Sequence, residues 1–353
     1  MSKVIVGLSG GVDSAVCAHL LKEEGHEVIG VTLRTWEPED GAESRCCEID
    51  DARAVCMKLQ IPYYPWNALA CFRERVVQPF IGDYLSGRTP NPCVECNRYV
   101  KWEKMLHIAD VLSADFIATG HYAEIVRLPS GRYTVRRPAS AEKDQTYMLY
   151  QLTQEQLART IMPLWNLTKE EVRNIARDAG IPVAEKPDSQ EICFVPDGHY
   201  SDFIAEHTEP GRLREGNFVD ESGRVLGRHR GIAHYTVGQR RGLGIAAGYH
   251  IFVKEIRPET DEIVLGREES LFRSEIFCRD LSWLSVPGLS EGEALPALVR
   301  IRYRHRGEDA VLRPAGENRL SVRFRNPVRG AAPGQSAVFY DESGCVIGGG
   351  KIE

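Results

Sequence analysis

Two clusters in the 353-residue chain combine residue types that do chemistry. The first is Ser9-Gly10-Gly11-Val12-Asp13-Ser14. Glycines let the backbone turn tightly and approach a ligand, and a helix starting there offers free N–H groups and its positive dipole end. Ser9 and Ser14 add hydroxyl groups, so the cradle fits phosphate. Asp13 is the odd member, because a carboxylate repels phosphate unless a cation intervenes. It is expected to touch Mg2+ near a leaving pyrophosphate, or else only to stabilise the first helical turn. The loop lacks the lysine with which a Walker loop grips the β- and γ-phosphates. That suits cleavage between the α- and β-phosphates, which adenylates a substrate instead of phosphorylating it.

The second cluster is Asn91-Pro92-Cys93-Val94-Glu95-Cys96-Asn97, a Cys-x-x-Cys pair braced by proline at the start of a helix. Thiols at a helix amino terminus are expected to have lowered pKa values. Cys193, in Asp188-Ser189-Gln190-Glu191-Ile192-Cys193-Phe194, is a third candidate. No second pair with zinc-finger spacing exists, so a four-thiolate zinc site is not supported. Cys93, Cys96 and Cys193 together would leave an iron–sulfur cluster one open position for sulfide or substrate. Eight of the ten cysteines fall within the first 193 residues, concentrating thiol chemistry there. Cys17, Cys56, Cys71, Cys278 and Cys345 read as small buried hydrophobes. The adjacent Cys46-Cys47 can bond to each other only with strain and reads as structural or incidental.

These residues need a scaffold. Val4–Leu8 reads as a buried strand, and Val12, Val16 and Leu20 with Glu23-Glu24-Gly25 outline an amphipathic helix ending at glycine. A strand at Glu27–Leu33, helices at Ile49–Leu59, Cys71–Leu85 and Asn97–Leu112, and a strand at Phe116–Thr119 running into Gly120 follow. Thr168-Lys169-Glu170-Glu171 is a capping box opening a helix that ends at Gly180. This alternation predicts an α/β domain with a parallel sheet over residues 1–200. Beyond about residue 205 the runs are short and β-rich: Gly231–Val237, Ile251–Ile256, Ile263–Leu265, Leu298–Tyr303, Leu320–Phe324 and Ala337–Phe339. They predict a small central domain over 201–275 and a β-barrel over 276–353. No apolar run approaches the roughly 20 residues of a membrane span, and the amino terminus reads as a strand and not a signal peptide. The thiols then suit a cytoplasmic protein.

Forty-four basic and 50 acidic residues give a net charge of −6, which at face value argues against nucleic acid. The average hides a local excess, for nine arginines face three acids between residues 300 and 329. On a strand, Arg300-Ile301-Arg302-Tyr303-Arg304-His305-Arg306 would put four arginines on one face, and Arg323-Phe324-Arg325 repeats the pattern. Aligned guanidinium groups repel unless they meet anions, so a platform for an RNA backbone is expected.

The Ser9–Ser14 string resembles the PP-loop ATP pyrophosphatase superfamily, whose members activate carbonyl or amide oxygens as adenylates. Further strings narrow the likeness: Thr89-Pro90-Asn91-Pro92, Cys96-Asn97, Gly120-His121-Tyr122-Ala123, Lys143-Asp144-Gln145-Thr146-Tyr147, Ser189-Gln190-Glu191-Ile192-Cys193-Phe194 and Thr236-Val237-Gly238-Gln239-Arg240. In order, across nearly the whole chain, they resemble the tRNA-specific 2-thiouridylase family. The resemblance implies a Rossmann-like PP-loop domain, a small central domain and a carboxy-terminal β-barrel. It implies ATP-dependent adenylation of the C2 oxygen of a wobble uridine, then replacement of that oxygen by sulfur. ATP contacts carried over are Gly7, Leu8, Ser9, Gly10, Gly11, Val12, Asp13 and Ser14, with Leu33 and Gly120 at neighbouring strand ends. Asp13 joins the catalytic set with Mg2+, Cys193 matches the persulfide carrier, and Cys96 matches its partner, able to form a disulfide with it during sulfur release. His121, Lys143, Asp144, Gln145, Arg302, Tyr303 and Gln335 match contacts to the tRNA anticodon stem-loop. A sulfur-donor protein, such as a cysteine desulfurase or a relay carrier, is implied as a partner. The chain departs from the family at Cys93, where Asp is usual, which keeps a [4Fe–4S] cluster on Cys93, Cys96 and Cys193 as an alternative. A PP-loop ligase of the amidotransferase type is a further one.

Overall fold

The computed structural model describes residues 1–37, 48–188, 192–195, 199–209 and 211–353. Cys46 and Cys47, and Ser189–Glu191 of the Cys193 motif, lie outside the described residues. Strand β1 (Lys3–Gly7) is the middle of a five-stranded parallel sheet. On one side lie β2 (Glu27–Arg34) and β3 (Tyr63–Asn67), and on the other β4 (Phe116–Ala118) and a short strand, Thr160–Ile161. Val4, Ile5 and Val6 are wholly buried, as a strand covered on both faces requires. One face packs on helices α1 (Val12–Glu23) and α2 (Ile49–Leu59) and the helix Lys169–Asp178 through Val16, Val55 and Val172. The other packs on Trp102, Met105 and Ile108. Thr168 caps its helix by the expected reciprocal bonds with Glu171. The two long helices exceed their sequence spans: helical backbone covers 69–85 and 92–111, each with a π-type segment, at Arg73–Val77 and Cys96–Trp102.

The strand order reverses between β1 and β4, where ligands of open α/β sheets bind beyond the carboxyl strand ends. The glycine loop after β1, Leu33 in β2 and Gly120 after β4 therefore share one edge.

A four-stranded sheet of Phe252–Arg257, Glu262–Gly266, Gly216–Val219 and Val225–His229 makes the central unit. The last part is a closed six-stranded barrel running from Phe272–Trp283 to Val346–Ile352. Along Leu320–Arg329 the alternation is clean: Leu320, Val322 and Phe324 are buried, while Arg323 and Arg325 face out.

Two β expectations fail. Gly231–Val237 is not a strand: Gly231 has φ of 128°, its N–H binds the His229 ring, and Ile232–His234 turns helically. The strand expected over Leu298–Tyr303 stops at Arg300. The Arg300 guanidinium folds back on the carbonyls of Tyr303 and His305, closing a turn, so four arginines do not share a strand face. Arg300 itself is buried against Asp144, with Nη1 2.7 Å from Oδ2.

That pair belongs to a seam joining barrel and sheet domain. Leu284, Val338, Tyr340 and Val346 of the barrel share one apolar cluster with Tyr147, Leu149 and Tyr150. Tyr147 donates to the Ser336 carbonyl at 2.8 Å, and Thr134 to that of Val346 at 2.6 Å. Removing one partner of a buried ion pair costs about 3–5 kcal/mol, because a charge is left uncompensated. Asp144→Ala should therefore destabilise the chain by about 3 kcal/mol or more in urea unfolding. The double variant with Arg300→Met should lose less than the sum of the two single changes.

Candidate active site

Gly11 stands at the N-cap of α1, and Gly10 takes φ of 81°. A Cβ on Gly10 would lie 2.7 Å from the Glu48 Cβ, so both conformation and space demand glycine. The Ser9 N–H donates to Ser14 Oγ at 3.2 Å, and Ser14 Oγ donates to the Gly11 carbonyl at 3.0 Å, which closes the loop over the helix start. The first N–H groups of α1 have no partners within the helix and face this loop. From the far side Gly120 presses in: a Cβ there would meet the Asp13 carbonyl carbon and the Ser14 nitrogen, each at 2.7 Å.

Asp13 sits in a dense polar node. Its carboxylate accepts from the Tyr122 hydroxyl at 2.8 Å and from Lys169 Nζ at 2.7 and 2.8 Å. Burial, and then the Asp13 charge, push the Tyr122 phenol upward, keeping it a donor. Lys169 also lies 2.7 Å from Asp188, which in turn accepts from Lys143 at 2.8 Å. Partial burial opposes ionisation of Asp188, but the bonds from Lys143 and Lys169 outweigh it and hold its pKa below the ordinary value. Gln145 closes the circuit by accepting from the Tyr122 N–H at 2.9 Å. Lys143 and Gln145, expected to meet RNA, are thus bolted to the glycine loop through Asp188 and Tyr122. Asp144 does not face outward: it is 7% exposed and holds Arg300, which corrects the expectation of an RNA contact through its side chain.

The sequence reading missed Lys169 and Asp188 as site residues. A signal existed: a lysine in the first turn of a helix opposes the macrodipole unless anions compensate it.

Asn91 caps the helix that carries the thiol pair, its Oδ1 accepting from the Cys93 N–H at 3.2 Å. Cys96 is 7% exposed and belongs to an apolar cluster with Phe72, Phe80, Val100 and Phe194, and the half-buried Cys193, Cys71 and Leu33 pack against that cluster. The two candidate thiols and Leu33 are therefore neighbours of one core. Cys93 is not among them. It keeps an exposed flank, and the protein packed around its thiol pushes the pKa up, opposed in part by Lys101, against the expected lowering. Among the described residues no three His, Cys, Asp or Glu side chains group as metal ligands. Cys17, Cys56, Cys278 and Cys345 are buried as expected. Cys56 fills the space over Gly30, with its thiol pushed up to about 12 by burial.

The barrel meets the thiol loop directly. Gln335 donates to the Thr89 carbonyl at 2.9 Å, the Thr89 N–H donates to the Pro333 carbonyl at 2.8 Å, and Lys351 pairs with Glu95 at 3.0 Å. Behind them a cleft of about 410 Å³ is lined by Asp83, Arg88, Arg279 and Lys351. Arg302 is exposed and donates to the Arg329 carbonyl at 2.9 Å, while Tyr303 meets Tyr147 edge-on at 6.1 Å.

Residues 2–197 match the family described as tRNA methyl transferase HUP domain, 201–267 its PRC-barrel domain, and 273–352 the aminomethyltransferase beta-barrel domain. A tRNA-specific 2-thiouridylase MnmA of Lachnoclostridium phytofermentans is 50% identical, covering 100% of this chain and 99% of its own. The protein of that name in Acetivibrio thermocellus is 48% identical over 99% of each chain. That of Clostridium perfringens is 45% identical over 99% of this chain and 98% of its own.

His121 gives a direct test of how closed the site is. Its Nδ1 meets Thr119 Oγ1 at 2.9 Å, and burial, then Lys101, push its pKa down to about 3. The unfolded chain takes up a proton near pH 6.5 and the folded chain does not, so stability falls as pH drops from 6.5 toward 3. Urea midpoints should fall more steeply between pH 7 and pH 5 for the native chain than for His121→Gln. Equal slopes would place the ring in open water.

Proposed function

We propose a reaction from one premise: the chain belongs to the tRNA-specific 2-thiouridylase family. It is a tRNA-uridine 2-sulfurtransferase that thiolates tRNA at the expense of ATP. In the proposed course the triphosphate lies on the glycine loop, with Gly7 to Ser14, Leu33 and Gly120 around the nucleotide. Asp13 offers a single carboxylate, which fits Mg2+ only as an ion arriving with the triphosphate, since that ion takes one or two carboxylates and fills its shell with phosphates and water. Bound there, it would neutralise phosphate charge. The C2 oxygen of the wobble uridine attacks the α-phosphate, the N3 proton is lost and pyrophosphate leaves.

Amide oxygen is a poor leaving group and AMP a good one. Cys193 carries an outer sulfur as a persulfide. The Cys96 thiolate attacks the Cys193 sulfur, the persulfide S–S bond breaks, and hydrosulfide departs toward C2 as a Cys96–Cys193 disulfide forms. Hydrosulfide adds at C2, AMP leaves with the oxygen, and the proton returns to N3. An external dithiol reduces the disulfide, and a sulfur-carrier protein reloads Cys193. The observation that supports this reading is the common core of Cys96, Cys193 and Leu33 at the edge where the glycine loop opens. A cluster on Cys93, Cys96 and Cys193 fits less well, because among the described residues these three thiols do not group as metal ligands. The tRNA anticodon arm is assigned to His121, Lys143, Gln145, Arg302, Tyr303 and Gln335. No helix among the described residues is long and apolar enough to cross a membrane, and a cytoplasmic site of action belongs to the same proposal.

Cys96→Ser and Cys193→Ser should each lower sulfur incorporation into transcribed tRNA by at least about a thousandfold, as removal of a nucleophile does, while tRNA-dependent ATP–pyrophosphate exchange persists. Cys93→Ser should retain most incorporation. Loss equal to that of the other two, with iron in an anaerobic preparation, would favour the cluster instead.

Arg302→Ala should weaken tRNA binding and reduce the slope of log K against log salt by about one, sparing ATP binding. An unchanged slope would remove Arg302 from the interface.

A further inference from the structure

The glycine loop has no lysine of its own, yet a lysine ammonium stands at its mouth. Lys169 comes from the first turn of the helix Lys169–Asp178, 156 residues along the chain from Asp13, and its side chain is only 15% exposed. It touches both Asp13 oxygens at 2.7 and 2.8 Å and an Asp188 oxygen at 2.7 Å. We infer that Lys169 is the phosphate-binding cation of this loop, exchanging Asp13 for oxygens of the nucleoside triphosphate when the nucleotide binds. This rests on the adenylation reading above.

Three observations carry it. The Lys169 ammonium engages both Asp13 oxygens, so a cation that arrives with the nucleotide competes with it for them and leaves the ammonium to take another anion. Triphosphate oxygens on the N–H groups of α1 are the anions that entry brings. Second, Lys169 is tethered from behind by Asp188, so it can leave Asp13 without losing all its compensation. Asp188 is itself held by Lys143 and Arg173, whose Nη2 lies 3.4 Å away, so it keeps cations when Lys169 turns. Third, Lys169 works against its own helix. A cation at a helix amino terminus is electrostatically unfavourable, and its aliphatic stem is committed to reaching the neighbouring loop. The same cationic point charge that a Walker loop carries locally is here delivered by another helix.

Binding, with no turnover, separates this role from simple cross-bracing of α1 to its neighbour. In the native chain ATP should bind more tightly than adenosine, the difference being the share due to phosphates. Lys169→Gln should cut that ATP-to-adenosine affinity ratio by roughly tenfold, the worth of one charge-assisted hydrogen bond, with adenosine affinity little changed. Pyrophosphate competition should weaken in parallel. If ATP and adenosine lose affinity together, Lys169 only braces the fold and the inference fails. Should Lys169→Gln not fold, Lys169→Arg keeps charge on Asp13 and Asp188 but moves it, and it must shift pyrophosphate affinity relative to adenosine. An unchanged ratio there overturns the inference. A native chain that binds ATP no better than adenosine would instead overturn the adenylation reading on which it rests.

Discussion

A carboxylate at the mouth of a phosphate loop is an electrostatic conflict, and the sheet domain is arranged around its compensation. Asp13 gains from the positive end of α1, but it would repel the ligand that the same helix end attracts. The structure meets this with an ammonium and a phenol held in place from elsewhere. Tyr122 is fixed by Gln145, and Lys169 by Asp188. Gly120 must lack a side chain so that the turn bearing Tyr122 can lie on the backbone of α1. Segments near residues 120 and 169 thus converge on one acidic residue, backed by segments near residues 145 and 188.

The barrel is fixed to that node by two ion pairs. Asp144, between Lys143 and Gln145, is clamped by Arg300, and Glu95, between the two cysteines of the pair, is clamped by Lys351. Partial burial disfavours the Lys351 ammonium, but Glu95 more than compensates and holds its pKa above the ordinary value. A ligand that pulls on the barrel surface near Arg302 therefore acts on elements that position both the glycine loop and the thiol helix. Asp144 and Gln335 hold the seam, so residues near the surface proposed to meet RNA would also set the geometry beneath it.

Local chemistry was legible in the sequence where one short segment contains its whole cause. The glycine loop, the capping box at Thr168 and the alternation in Leu320–Phe324 are of this kind. The reading failed where a side chain turned back on its own backbone: Arg300 ends a strand that period two would have continued, and Gly231 adopts a φ that ends another. It could not see Asp13 with Lys169 or Asp144 with Arg300, each pair 156 residues apart, because no periodicity or spacing encodes a contact made only by the folded topology. The lowered pKa expected at Cys93 failed for a related reason, since the desolvation imposed by surrounding protein outweighs both the helix amino terminus and the nearby Lys101 charge.

The surroundings of the two core thiols also order their roles in the proposed reaction. Cys96 is almost wholly buried among aromatic rings, where a carrier protein cannot reach it, while Cys193 is half-buried against the same core. In the proposed reaction sulfur from outside would therefore arrive at Cys193. Cys96 can then act only on a neighbour already inside the site, which is what a resolving thiol does. In the proposed reaction the apolar residues packed around Cys96 would also keep water from an adenylate and a persulfide, both of which water would consume. Burial thus protects what the nucleophile attacks. A thiol whose task is to strike once, after substrate has closed the site, depends on that protection.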